Sequence, residues 1–420
     1  MTSLLNEFPF HEEKDWKEKV RTELKGKDPE SLDHIDENGF LRKAYYDEKS
    51  LDDLTLLKEI QAAQQKDADW KIVIEFSQDS PEMTQSIGTL LKGSDAIFLE
   101  QNERQFIEIE TISSEQPGIE LMGLQHHYEH SSFFKILIDP IGEHLSTSVN
   151  SPFNSEQLIA AFKSNSKVNL LIDGLLYRGR GATESQEISF LIQHAADYFD
   201  LLTESGIQAK EVAKRMLFRT GIGTDYLMEI AKCRALRTAI RRLFDAYQLD
   251  VQPCLWGTSS TYNISHLDKH SNLLRLSTMG LSAAIGNCDM IGLKPYNYWS
   301  KETKQSQRLS RNIQLLLKHE SYLNKVNDIS AGSYTIETYT SDLLSKAWED
   351  FLSKEKNGGM LHQLDKIHPL KACDEAHRKR VERFNTKKRV MVGVNNYMSE
   401  KEEDTELKDI IFSLSKSIAS

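Results

Sequence analysis

From Trp70 onward, short apolar runs rich in β-branched residues alternate with longer stretches in which apolar positions recur at helical spacing. That alternation is the pattern of repeated βα units, where strands buried on both faces read as continuous apolar runs and the covering helices read as stripes. The expected strands are Lys71 to Phe76, Ala96 to Leu99, Lys135 to Ile138, Val168 to Ile172, Arg215 to Arg219, Val251 to Trp256, Met290 to Leu293 and a weaker one near Lys325 to Asn327. Eight is the number a closed (β/α)8 barrel needs. The expected fold class is therefore α/β, a (β/α)8 TIM barrel with an N-terminal helical extension. A doubly wound open sheet competes, but no Gly-x-Gly-x-x-Gly turn opens an early helix. The helices are the clearer signal. Tyr226, Ile230 and Cys233 mark the apolar stripe of a long helix with Arg234, Arg237 and Arg241 on its remaining face, and Leu273 to Ile285 and Arg308 to Glu320 follow the same rule. Asp342 to Leu352 and Ala372 to Phe384 are expected to be helical beyond the barrel.

The stretch before Trp70 has a different rhythm. Trp16, Val20 and Leu24 share one helical face amid Lys and Glu, Gly26 and Pro29 end that helix, and a second helix is expected over Leu51 to Gln65. The expected organisation is a helical extension over 1–66, a candidate arm for wrapping a partner, then a barrel over 67–397 and a charged tail over 398–420. The 63 acidic against 52 basic side chains give a formal charge of -11, which repels phosphate backbones and anionic lipid headgroups, so neither nucleic acid nor a membrane is an expected partner. No run approaches the roughly eighteen apolar residues of a spanning helix. Cys233, Cys254, Cys288 and Cys373 are far apart, and Met1 to Phe10 lacks a signal peptide's basic start and apolar run, so the expected location is the cytoplasm.

Three constellations offer chemistry. His126 and His130, with His127 between, have the i, i+4 spacing of a metal pair; a zinc helix would want a third ligand and a general-base Glu between the pair, whereas here Tyr128 and Glu129 follow His127 with Glu129 directly before His130, and a solvated surface is the preferred reading. Arg178 and Arg180 flank Gly179, with Gly181 following, just after an expected strand. That is where a barrel loop could hold phosphate or carboxylate, although an ordinary turn with solvated Arg is preferred. Asp139 and Asp173 follow the third and fourth expected strands. They are candidate acid or base groups there, with turn and cap chemistry the competing and favoured reading.

Several segments then line up with a known family. Gly221-Ile222-Gly223-Thr224-Asp225-Tyr226-Leu227-Met228-Glu229-Ile230-Ala231-Lys232-Cys233-Arg234-Ala235 resembles a barrel segment of methylmalonyl-CoA mutases, most closely their small, or beta, subunits. Arg311 to Leu317, Ala331 to Tyr334, Asn272 with Arg275, and Val392 to Tyr397 fall in order with it, and an opening such as Trp16 to Lys25 is typical of small subunits. The resemblance spans roughly Phe8 to Tyr397. It implies a (β/α)8 barrel whose axis admits the pantetheine arm of coenzyme A, followed in most members by a cobalamin-binding domain. The signature of that domain, Asp-x-His-x-x-Gly, is approached only at Asp268-Lys269-His270, with Leu273 at the glycine position, so the resemblance implies a chain that stops where a cobalamin domain would begin.

Family catalytic chains carry a histidine at the end of the fourth strand that hydrogen-bonds the thioester carbonyl. Here the run is Ile172-Asp173-Gly174-Leu175-Leu176-Tyr177, and Leu176, with neither donor nor acceptor, takes that place. Arg215-Met216-Leu217-Phe218 keeps the family's coenzyme A-touching Arg at Arg215 and has Leu for its Ser, and the early Tyr and Arg segment of catalytic chains has no counterpart near Tyr45 and Tyr46. The resemblance thus implies a non-catalytic small subunit of a methylmalonyl-CoA/succinyl-CoA isomerase. No catalytic residue and no metal site are expected in this chain, with Arg215 as a substrate-binding candidate. No cofactor is expected on this chain, adenosylcobalamin is expected in the partner, and the partner is the catalytic large subunit. The alternative is a cobalamin-independent barrel that binds acyl-CoA through Arg215, Arg178 or Arg180 with an activity of its own.

Overall fold

A computed structural model describes residues 13–64, 67–76, 92–100, 119–124, 134–146, 153–299, 303–363 and 370–398. Eight parallel strands close into a barrel: β1 (Lys71–Phe76), β2 (Ala96–Glu100), β3 (Glu120–Leu124), β4 (Phe134–Ile138), β5 (Val168–Asp173), β6 (Met216–Ile222), β7 (Leu255–Ser259) and β8 (Met290–Gly292), with β8 pairing back onto β1. Side chains alternate in and out along each strand, as the pleat requires. Ile72, Ile136, Ile138, Leu170, Ile172, Met216, Phe218 and Ile291 point outward into one large core shared with the helices. Their neighbours point to the axis.

Seven of the expected strands are present within a few residues of the stated bounds. The eighth is not: Lys325 to Asn327 lies in and just after a 3-10 turn, Leu323–Lys325, and the missing strand is β3. Glu-Leu-Met-Gly-Leu carries no β-branched residue and has a glycine near its end, so local propensity conceals it; pairing with β2 and β4 on either side makes it a strand. Each later strand therefore moves up by one. Asp139 follows β4, and Asp173 and Leu176 belong to the end of the fifth strand.

The helices that cover the second half of the barrel are α2 (Glu184–Glu204), α3 (Tyr226–Ala246), α4 (Lys269–Ile285), α5 (Lys304–His319), α6 (Tyr334–Glu355) and α7 (Leu370–Asn385), and α1 (Glu13–Glu23) opens the extension. The start of α3 is fixed by Asp225, whose side chain accepts from the Met228 amide, and the start of α2 by a capping box between Thr183 and Gln186. Arg234 and Arg237 of α3 do not face water. They are buried, Arg234 between Asp328 and Glu337 and Arg237 on Asp289 and the carbonyls of Pro253 and Asn287.

The second helix of the extension is broken into Lys49–Asp52 and Leu57–Ala63. Reciprocal bonds between Asp47 and Ser50 start the first piece early, and Leu51, Leu54 and Leu56 do not keep to one stripe. Polar bonds tie the extension to the rest of the chain: Arg42, held by Asp36 at 2.6 Å within the extension, reaches Asp342 at 2.9 Å, Asn38 donates to Glu184 at 2.9 Å, and Glu37 holds Arg380 and Arg389. In α1, by contrast, no residue is buried, and Trp16 stacks on Tyr45 of the same extension. No helix among the described residues is long and apolar enough to cross a membrane.

Candidate functional site

Function in this fold class is written at the axis and at the C-terminal ends of the strands. Here the axis is packed. Val73, Phe98, Met122, Leu137, Leu171, Leu217, Trp256 and Met290, one inward side chain from each of the eight strands, form a single buried cluster. Phe98 and Trp256 meet edge to face at 4.9 Å in its middle. The Arg219 guanidinium lies 4.9 Å from each of those two rings, donates from Nε to Asp173 at 2.9 Å, and closes a second bond to the same carboxylate. On the other side, Lys294 pairs with Glu75 at 2.9 Å, and Thr258 donates to Glu75 and, at 3.1 Å, to the Gly292 carbonyl. A Cβ at Gly292 would stand 2.1 Å from the Glu75 carboxylate, so glycine is what lets this second lock seat. Bulky apolar side chains fill the axis, and two ion pairs cap it.

The segment behind the mouth explains the Gly221 to Ala235 motif. Lys232 is wholly buried, pairs with Glu187 at 2.9 Å and Glu229 at 2.7 Å, and donates to the Gly221 carbonyl; Glu187 accepts from the Gly221 amide and the Thr220 hydroxyl. Arg178 joins the network through Glu229 and Glu184, each at 2.7 Å. Burial works to raise the Glu184 carboxyl, but the charges of Arg178, Arg380 and Lys232 outweigh it and hold the group well below its ordinary value. A Cβ at Gly223 would meet Glu229 and Arg178 at 2.6 and 2.7 Å. The glycines, acid and lysine of the motif thus build an internal charge network rather than a substrate contact.

The residues singled out from sequence are not brought together. Arg178 is buried in that network and not presented to an anion, and Arg180 pairs with Asp374 at 3.3 Å. Asp173 holds Arg219. Asp139 is buried among helices instead, accepting from the Gly142 amide and the Tyr198 hydroxyl, each at 2.9 Å, with the His194 ring beside it. Burial, then the Asp139 charge, pushes the Tyr198 hydroxyl well above its usual range. Leu176, expected from the resemblance at the family's histidine position, packs against the outer core, whereas Leu217 does fill the axis. Arg215 sits at the N-terminal end of β6 and donates to the carbonyls of Val168, Phe162 and Asn165 and to Glu211.

His126, His127 and His130 lie outside the described residues, and among the described residues no three His, Cys, Asp or Glu side chains cluster as metal ligands would. Asp268 caps α4 through the Ser271 amide, while His270 is exposed and stacks on Tyr296, so these two residues do not form the lower-ligand arrangement of a cobalamin site. Arg219, Glu75 and Lys294 were not anticipated. Their signal was parity, since Glu75 and Arg219 each stand two residues after an inward apolar neighbour, Val73 and Leu217.

The family pattern described as methylmalonyl-CoA mutase matches residues 157–415. A methylmalonyl-CoA mutase small subunit from Porphyromonas gingivalis is 36% identical over 223 residues, 52% of this chain and 36% of that protein. The small subunit from Propionibacterium freudenreichii subsp. shermanii is 28% identical over 244 residues, 57% of this chain and 38% of that protein. The Porphyromonas gingivalis large subunit is 26% identical over 247 residues, 58% and 34% of the two chains. The matched part of the chain spans about a third of the length of these curated relatives.

Proposed function

The chain belongs to the methylmalonyl-CoA mutase family, and from that premise we propose that it is a small subunit that assembles with a catalytic large subunit and performs no chemistry itself. The assembly would interconvert methylmalonyl-CoA and succinyl-CoA in the cytoplasm, with adenosylcobalamin carried by the large subunit. The observation that carries this reading is the packed axis. A thioester arm threaded through the barrel would have to displace Phe98, Leu217 and Trp256, which fill the space between the strands. A catalytic mouth would also need a positioned acid or base. Here Asp173 and Glu75 are held by Arg219 and Lys294, and Leu176 replaces the family's histidine. The same features weigh against the acyl-CoA-binding alternative. If any such affinity exists, Arg215 is the proposed contact, approached from the N-terminal end of the barrel.

In solution, the full chain mixed with a methylmalonyl-CoA mutase large subunit from the same organism is expected to co-elute with it on size exclusion. The chain alone, supplied with adenosylcobalamin and methylmalonyl-CoA, is expected to form no succinyl-CoA. A chain that ignores the large subunit, or that turns over substrate unaided, sinks the reading. Acetyl-CoA titrated calorimetrically into the chain is expected to give no binding heat; saturable heat lost in Arg215→Ala would favour the alternative.

A further inference from the structure

Phe384 of α7 and Val394 form a small buried cluster of their own with Leu267 and Met391, apart from the large core that the barrel shares with its helices. Satellite clusters of this kind ordinarily lie under a covering segment. Beside this one, α4, α7 and the segment 389–392 border a groove of 410 Å³, with Leu274, Val381, Phe384, Val390, Met391 and Val392 in its lining. Three of those side chains stand in water: Leu274 is 70% exposed, Val390 47% and Val392 52%. A contiguous patch of aliphatic side chains around a concave floor is the form of a helix-in-groove site.

The chain carries a segment that fits it. Residues 399–420 lie outside the described residues, and their sequence has two halves. Glu400, Glu402, Glu403, Asp404 and Glu406 crowd the first. In the second, Leu407, Ile410, Ile411, Leu414 and Ile418 recur at the spacing of one helical face, with Ser and Lys between them and Phe412 off the stripe. A helix this short needs a surface to pack on before it is stable in water, since isolated helices below about 12–15 residues are marginal. The groove is within reach. Its wall at Val392 comes six residues before Met398, and the nine residues from there to Leu407 can extend up to about 30 Å. A tethered segment also meets its site at an effective concentration of about a millimolar, which favours it over a second copy or a separate partner. The family pattern points the same way, because the match over 157–415 does not stop at Met398 but takes in the stripe as far as Leu414.

We propose that residues 407–418 dock their apolar stripe into this groove, covering Leu274, Val390 and Val392 of the same chain. The contact is intramolecular, separate from the axis, and does not depend on the partner-subunit reading.

The full chain by itself, at low concentration, is the material for the test. Leu274→Cys combined with Leu414→Cys is treated with bismaleimidoethane and the products are mapped by peptide mass spectrometry. The control pairs Leu414→Cys with Leu352→Cys, an exposed position on α6. The 274–414 link is expected to form within one chain at least about tenfold faster than the 352–414 link. In hydrogen exchange, the amides of 407–418 are expected to be protected, and Leu274→Asp to speed their exchange by about tenfold or more while the circular dichroism spectrum is unchanged. Equal rates for the two pairs, or links that join only separate copies, overturn the proposal. So does exchange of 407–418 at the unprotected rate, or protection that survives Leu274→Asp, which would place the segment elsewhere.

Discussion

At Lys232 an ammonium group sits wholly inside the protein, and its position is tolerable only because two carboxylates face it. Burial pulls its pKa down, Glu187 and Glu229 more than reverse that, and the group ends above its ordinary value. Removing the cation leaves carboxylates in a dry interior, so Lys232→Met is expected to cost about 3–5 kcal/mol in chemical denaturation, with part recovered by adding Glu187→Gln. Asp197 on α2 is the opposite case. Burial, with the Glu355 and Asp200 charges adding to it and the Leu361 amide opposing, raises its pKa from 3.8 to about 7. The folded state therefore holds this proton where the unfolded state has released it, so stability contributed by protonated Asp197 is lost as pH rises from about 4 to about 7. Asp197→Asn keeps an acceptor for the Leu361 amide and removes the charge. It is expected to stabilise the chain by roughly 1–3 kcal/mol at pH 8 and by little near pH 4, read from denaturation midpoints at the two pH values. Neither group was legible in the sequence as part of a buried network. Lys232 and Arg234 fall on a helix whose pattern reads as amphipathic, and only the packing of α6 and the β5 and β6 loops against α3 shows that its polar face is also enclosed.

At the scale of elements, the chain is uneven in how it binds its own parts. No residue of helix α1 is buried, whereas the residues from Asp36 to Gln64 are fastened to α2, α3, α6 and α7. On the proposed function the half-buried stripe of Trp16, Val20 and Leu24 belongs to the wrapping arm. A chain beginning at Asp28 is expected to keep its unfolding free energy within about 1 kcal/mol of the full chain, since α1 has no buried residue and gives up chiefly the Trp16–Tyr45 stack. It is also expected to bind the large subunit about tenfold more weakly, measured by surface plasmon resonance. An unchanged affinity would remove α1 from the interface. Elements with strong local chemistry were readable: the runs at Lys71–Phe76 and Val168–Asp173 and the long helices α3 and α4. The strand at Glu120–Leu124 was not, because its conformation is imposed by neighbours rather than preferred by its residues.

For the whole molecule, the family likeness and the buried charge network coincide in the second half of the barrel, from β5 onward. The resemblance read from the Gly221 to Ala235 motif was therefore a reading of architecture, and it located the fold more securely than it located any ligand contact. The mouth residues escaped notice because a charged residue inside an apolar strand run looks like an interruption until strand parity aims it at the axis, as with Glu75 and Arg219. The packed axis has a mechanical side as well. Hydrostatic pressure unfolds proteins by abolishing the empty volume they enclose, and its grip scales with that volume. A barrel filled by Phe98, Leu217 and Trp256 has little there to surrender. Trp256→Ala would open a void at the centre, at a cost of about 3–5 kcal/mol. Fluorescence or NMR under pressure is expected to show that variant unfolding at a markedly lower pressure than the parent, with a larger volume change. A barrel packed through its axis is, in this sense, the less compressible body.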